Sequence, residues 1–145
     1  MDNKKSIQIY VALKNIGKVT RRVQKYPFVL YNTPSTLREL IRESVISCIE
    51  SYKVRAESGK RPVPLTEEQI NSMQTVGKIA FGVHYNDNRI NEEKAINTAL
   101  EAVTDGLVRI FKGKDELTDL DKRIDIAEGD ELTFIRLTML SGIMW

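Results

Sequence analysis

Residues 105–145 read DGLVRIFKGKDELTDLDKRIDIAEGDELTFIRLTMLSGIMW, and this stretch decides the fold. Asp105-Gly106 is a turn signal that leads into the apolar run Leu107-Val108-Arg109-Ile110-Phe111. Lys112-Gly113-Lys114-Asp115 is a second turn signal. Leu117, Leu120, Ile124 and Ile126 follow as apolar anchors in a polar connector. Glu128-Gly129-Asp130-Glu131 marks a third turn, and Leu132 to Leu140 reads as a long strand. Along it Leu132, Phe134 and Leu140 point one way while Ile135, Leu137 and Met139 point the other. Apolar residues on both sides predict a central strand covered on both faces.

Working back toward the N-terminus, Ile7, Ile9, Val11 and Leu13 alternate with Gln8, Tyr10 and Ala12, the period of a half-buried strand. Asn15-Ile16-Gly17-Lys18 supplies turn chemistry. A second strand resumes at Val19 and extends to Leu30, with an interruption expected at Pro27, which favours an edge or a bulge. Thr33-Pro34-Ser35-Thr36 opens a helix. Thr36 with Glu39 fits a capping box, and Thr33 followed by Pro34 is the competing register. Leu37, Leu40, Ile41, Val45, Cys48, Ile49 and Tyr52 then recur at helical spacing and predict one long helix to about Arg55.

After a polar connector, Thr66 with Gln69 is another capping box, followed by the stripe Ile70, Met73 and Val76. Gly77 reads as the stop of this helix, with a short strand over 78–83. Asn91 caps a third helix whose inward positions are Ala95, Ile96, Ala99, Leu100 and Val103.

Three places in this order resemble ubiquitin-like β-grasp proteins. They are the hairpin followed by Pro34-Ser35-Thr36-Leu37-Arg38-Glu39-Leu40-Ile41, the segment Val108-Arg109-Ile110-Phe111-Lys112-Gly113-Lys114, and the turn Glu128-Gly129-Asp130-Glu131-Leu132. The resemblance implies an α+β fold with a mixed sheet and a long covering helix; residues at about 58–104 have no counterpart in those proteins and read as a two-helix insertion within a single domain over 1–145. The resemblance places the first and last strands side by side in the middle of the sheet, with the inserted helices expected over its second face. The chain also resembles a group of uncharacterised bacterial proteins that end in a Phe-Ile-Arg-Leu-Thr-Met-Leu strand, and that likeness implies no activity. Conjugation and sulfur transfer, the chemistry for which β-grasp proteins are best known, use a flexible Gly-Gly terminus. Here Gly142 is followed by Ile143, Met144 and Trp145, which argues against that chemistry.

Composition sets further bounds. At 145 residues the chain is most simply one domain, able to bury roughly 70% of its unfolded surface without a staple. Cys48 is the only cysteine, which excludes an internal disulfide framework and a cysteine zinc cluster. Residues 1–5 lack the apolar core of a signal peptide, and no run approaches the ~20 apolar residues of a membrane span. A cytoplasmic location without membrane contact is therefore expected. The net charge of +2 conceals an asymmetry: residues 1–62 carry 13 Lys/Arg against 5 Asp/Glu, and residues 63–145 carry 9 against 15. Compensation within one domain explains this, and so does a basic patch that attracts an acidic partner.

The chemistry-bearing residues form no catalytic constellation. His84 stands alone near Tyr85, and Cys48 lies on an apolar helix face. Gly77-Lys78 fails the phosphate-loop pattern because position 72 is Ser and position 79 is Ile. Asp119, Asp121 and Asp125 are spaced somewhat like calcium ligands, but Arg123 intervenes and no glycine makes the turn. No catalytic, cofactor or metal residue is expected. The candidate partner-binding residues are Lys14, Lys18, Arg21, Arg22 and Lys25 of the first hairpin, with Met144 and Trp145 at the C-terminus. They point to a non-catalytic protein-binding or scaffold module, with a second copy of the chain among the candidate partners. The alternative is a nucleic-acid-binding accessory protein that uses the basic hairpin.

Overall fold

The computed structural model describes residues 6–16, 24–56, 65–83 and 91–137. Along them run β1 (Ile7–Ile16), β2 (Lys25–Leu30), α1 (Leu37–Ala56), α2 (Glu67–Phe81), α3 (Glu92–Thr104), β3 (Val108–Lys112), β4 (Asp115–Leu117) and β5 (Glu131–Leu137). The fold is α+β, with one mixed five-stranded sheet in the order β2-β1-β5-β3-β4. β1 and β5 are the parallel pair, with Val11 beside Leu132 and Leu13 beside Phe134; the other pairings are antiparallel. The turn at 128–130 holds this central pair in register. Gly129 N–H donates to Gln8 O (2.8 Å), Tyr10 N–H donates to Asp130 O (2.9 Å), and Gln8 N–H donates to Glu128 Oε1 (3.0 Å).

One face of the sheet carries the core. It carries Ile7, Ile9 and Val11 of β1, Phe28 and Leu30 of β2, Val108 and Ile110 of β3, and Leu132 and Phe134 of β5. These residues share one core with Leu37, Leu40, Ile41, Val45, Cys48 and Ile49 of α1. Fully burying each such aliphatic or aromatic side chain contributes about 1.5–3 kcal/mol. α1 starts at the Thr36 register: Thr36 Oγ1 accepts from Glu39 N–H (3.1 Å), while Glu39 Oε1 reaches back to Ser35 N–H (2.8 Å) rather than to the cap's own amide. The connector after β4 pins this end. Arg38 N–H donates to Leu120 O (2.8 Å) and Ile124 N–H to Ser35 O (2.9 Å).

Three expectations need correction. β2 passes through Pro27 without the expected interruption: of the two placements that the proline favours, an edge or a bulge, the strand takes the edge, where the missing donor is tolerated. The expected start of that strand, at Val19, lies outside the described residues. Gly77 does not end α2, and there is no strand over 78–83: the helix continues to Phe81, and Gly82 ends it in the left-handed conformation (φ +71°). Gly77 is instead a contact glycine, since a Cβ there would collide with Cys48 Sγ on α1. Finally, the inserted helices do not seal the second face. Both pack against α1, α2 also meeting β2, β1 and β5, and α3 meeting β3, while Thr133, Ile135 and Phe111 of the second face stay half-buried. α1 draws them in because its buried positions, including Ser44, Ser47 and Ser51, run around more of its circumference than one sheet-facing stripe.

α2 is fastened at both ends. Phe81 meets Phe134 edge to face (ring centroids 5.7 Å apart), and Arg136 Nη1 donates to Ala80 O (2.9 Å). At its start Thr66 and Gln69 complete the reciprocal capping box. Replacing Gly77 with alanine should force α1 and α2 apart and lower stability by about 1–3 kcal/mol, as overpacking does. Adding Cys48→Ala to that variant should restore part of the loss. Urea denaturation of the three chains measures both effects, and an unshifted midpoint for Gly77→Ala would refute the close approach.

Candidate interaction surface

The second face of the sheet is where described side chains remain available. Strand register lays them out in rows. One row runs Lys25, Ala12, Thr133, Phe111 and Glu116 across all five strands. Beside it lie Pro27, Tyr10 and Glu131, and on the other side Lys14, Ile135 and Arg109. Ala12 is buried, whereas Tyr10, Pro27, Phe111, Thr133, Ile135 and Leu137 are half-buried. The small Ala12 and Thr133 therefore lie low between Tyr10, Phe111 and Ile135. A shallow apolar floor results, with charges at its margins.

Those charges are mostly spoken for. Lys25 Nζ reaches across β1 to Glu131 Oε1 (2.8 Å), and Arg109 Nε lies 3.8 Å from Glu116 Oε2. Exposed pairs of this kind contribute about 0–1 kcal/mol, so they set the local charge more than the stability. Lys14 is exposed and has no carboxylate partner among the described residues. Of the candidate cations, the structure thus places Lys14 and Lys25 on this face. Lys18, Arg21 and Arg22, together with Met144 and Trp145, lie outside the described residues, as do His84 and Tyr85.

A cleft of ≈ 460 Å³ opens beside β3 and β4, lined by Arg38, Val108, Arg109, Glu116, Leu117 and Asp121 among others. Both of its guanidinium groups are paired. Arg38 Nε and Nη2 donate to the two oxygens of Asp121 (3.0 and 3.3 Å). That hydrogen bond, then the charge attraction, raises the Arg38 pKa and lowers that of Asp121. The aspartates with calcium-like spacing are dispersed into separate tasks. Asp121 binds Arg38, Asp119 Oδ1 accepts from Asp121 N–H (3.0 Å), and the Asp125 carbonyl accepts from Lys112 Nζ. Among the described residues no three His, Cys, Asp or Glu side chains gather as a metal site. Glu67-Glu68 and Glu92-Glu93 occupy the first turns of α2 and α3, where they complement the helix dipole.

Cys48 is fully buried, and burial pushes its thiol up from 9.0 to about 12. Such a thiol is almost entirely un-ionised near neutrality and is a poor nucleophile. Because the native pKa is the higher one, the unfolded chain loses its proton first. Stability from this site is therefore complete below pH 9 and falls as pH rises from about 9 to about 12. Denaturant titrations across that window should show the decline, and Cys48→Ala should remove it. An identical pH slope in the two chains would exclude this linkage.

Sequence reasoning missed one arrangement on this face. Gln69 of α2 donates from Nε2 to Gln8 Oε1 on β1 (2.7 Å), and Gln8 Nε2 donates to the Tyr10 phenolic oxygen (2.9 Å). The Thr66-Gln69 capping box was a visible signal for one end of it. Nothing in the spacing says that the same carboxamide also reaches β1. No protein-family model, curated protein or solved structure matches the chain.

Proposed function

We propose that the chain is a β-grasp-like domain acting as a non-catalytic protein-binding module through the second face of its sheet. The strand order, the parallel β1–β5 pair and the position of α1 between β2 and β3 support the fold reading. The inserted α2 and α3 then serve as buttresses of α1. The functional reading rests on one observation. The sheet has one face whose core residues are at 0–6% exposure, while the other keeps Tyr10, Phe111, Ile135 and Leu137 half-exposed around a low centre. Apolar side chains grouped on a surface and rimmed by charge are the usual mark of a protein contact. Tyrosine at such a place supplies a large, stiff contact area. A buried, un-ionised Cys48 and paired charges in the cleft beside β3 and β4 favour binding over catalysis.

The pairing of Lys25 with Glu131 weakens the nucleic-acid alternative, because it neutralises one cation of the basic set. No described helix is long and apolar enough to cross a membrane. Replacing Ile135 with aspartate puts a charge in the middle of the surface and leaves the buried face alone. Affinity capture from the native host should then lose the proteins that co-purify with the unaltered chain, while thermal melting stays within a few degrees. An unchanged set of co-purifying proteins would refute this surface as the contact.

A further inference from the structure

The hydrogen-bond chain that ends at Tyr10 has a direction. Thr66 N–H donates to Gln69 Oε1 (2.8 Å). A backbone N–H only donates, so this contact fixes the carboxamide: its oxygen faces Thr66 and its nitrogen faces Gln8. Gln69 Nε2 donates to Gln8 Oε1 (2.7 Å), which fixes Gln8 in turn, and Gln8 Nε2 donates to the Tyr10 oxygen (2.9 Å). Each group accepts from behind and donates forward. Tyr10 stands last, as an acceptor, and its own O–H proton is not used within the chain. No acceptor among the described residues takes it. A hydroxyl that accepts one hydrogen bond becomes a better donor of the next.

Tyr10 stands between Pro27 and Glu131, beside the Ala12–Thr133 floor. The nearby Glu131 carboxylate is neutralised by Lys25 Nζ at 2.8 Å. In the row beyond the floor, Lys14 and Arg109 flank Ile135; Arg109 is paired with Glu116, and Lys14 has no carboxylate partner among the described residues. The surface thus offers a phenolic donor at one side, the Lys14 ammonium at the other and apolar side chains between. We propose that its partner is an acidic protein segment that seats an apolar side chain over Ala12 and Thr133 and places a carboxylate on the Tyr10 O–H. Gln69 and Gln8 are positioning residues that aim this donor outward. The proposal rests on the binding-module reading above and specifies the chemistry of what binds.

The test uses the full chain and three capped heptapeptides, each with a central phenylalanine flanked by aspartates, by lysines or by serines. Amide NMR titration reads binding at Tyr10, Ala12, Thr133 and Ile135. The aspartate peptide should shift these residues, and the other two should not. Tyr10→Phe, which keeps the ring and removes only the hydroxyl, should weaken the aspartate peptide about tenfold, the scale of a hydrogen bond to a charged group. Gln69→Glu should do the same by a different route. The new carboxylate still accepts from Thr66 N–H and keeps the helix cap, but it cannot donate to Gln8. The Gln8 amide then turns over, presents its oxygen to Tyr10 and draws the phenolic proton inward.

In a Tyr10→Phe background the Gln69→Glu change should cost nothing further, whereas simple charge repulsion would persist there. Equal affinity of Tyr10→Phe and the unaltered chain would overturn the proposal. So would shifts of equal size with the lysine peptide, or peptide-free, concentration-dependent broadening of this face by a second copy. Binding of the serine peptide as strongly as the aspartate one would overturn the acidic partner while leaving the binding-module reading intact. That reading falls separately, by the Ile135→Asp capture.

Discussion

The parallel pairing of β1 with β5 is the contact on which the rest of the molecule depends. It joins the two ends of the described chain at the centre of the sheet, and each outer pair is added to one side of it: β2 to β1, and β3 with β4 to β5. Its register decides which side chains share a face. With β1 held in place, a slip of one residue would turn Leu132 and Phe134 of β5 out of the core and Thr133 and Ile135 into it. The 128–130 turn guards against that slip with three hydrogen bonds to the start of β1. The buried face and the open one are therefore two results of a single alignment.

The division between faces gives α1 its position and α1 gives the insertion its purpose. A sheet with one largely apolar face needs a cover wider than one helix. α1 lies at the centre of that cover, and α2 and α3 both pack against it. The close approach of Gly77 to Cys48 brings α2 in tightly, and the edge-to-face contact of Phe81 with Phe134 carries the packing on to β5. By one side chain, Gln69, the insertion also touches the opposite character of the sheet. Its carboxamide closes a helix cap at one end and orders a surface phenol at the other.

Local signals made the element order legible. The turn residues at 105–106, 113–114 and 128–130 set the last three strands. The side chains of Thr36, Thr66 and Asn91 mark the starts of the helices by an interaction that reaches only three residues ahead. What failed were the questions whose answers lie elsewhere in the chain. Gly77 looks like a stop because glycine is a poor interior helix residue, yet it is required by Cys48, which is far away in sequence. Apolar residues on both sides of β5 looked like two-sided burial. The neighbours that register sets beside them, Lys14, Arg109 and Glu131, are polar, and the face they make is mixed. The amide chain was invisible for the same reason, since glutamine has no sequence signature for the partner it chooses.

The central pairing also has a consequence for biosynthesis. β1 emerges from the ribosome well before β5, with an apolar side meant for the core and a margin meant for β5. Its hairpin partner β2 follows at once, but the other margin must wait until residues 131–137 have been translated. For that interval the hairpin is a strand pair with an open, sticky border, the kind of intermediate that invites wrong partners. Contacts between distant parts of a chain also close slowly. Early shelter for this segment during synthesis is thus built into the demands of the topology, and α1 and α2, which are made in between, are the first parts of the chain able to provide it.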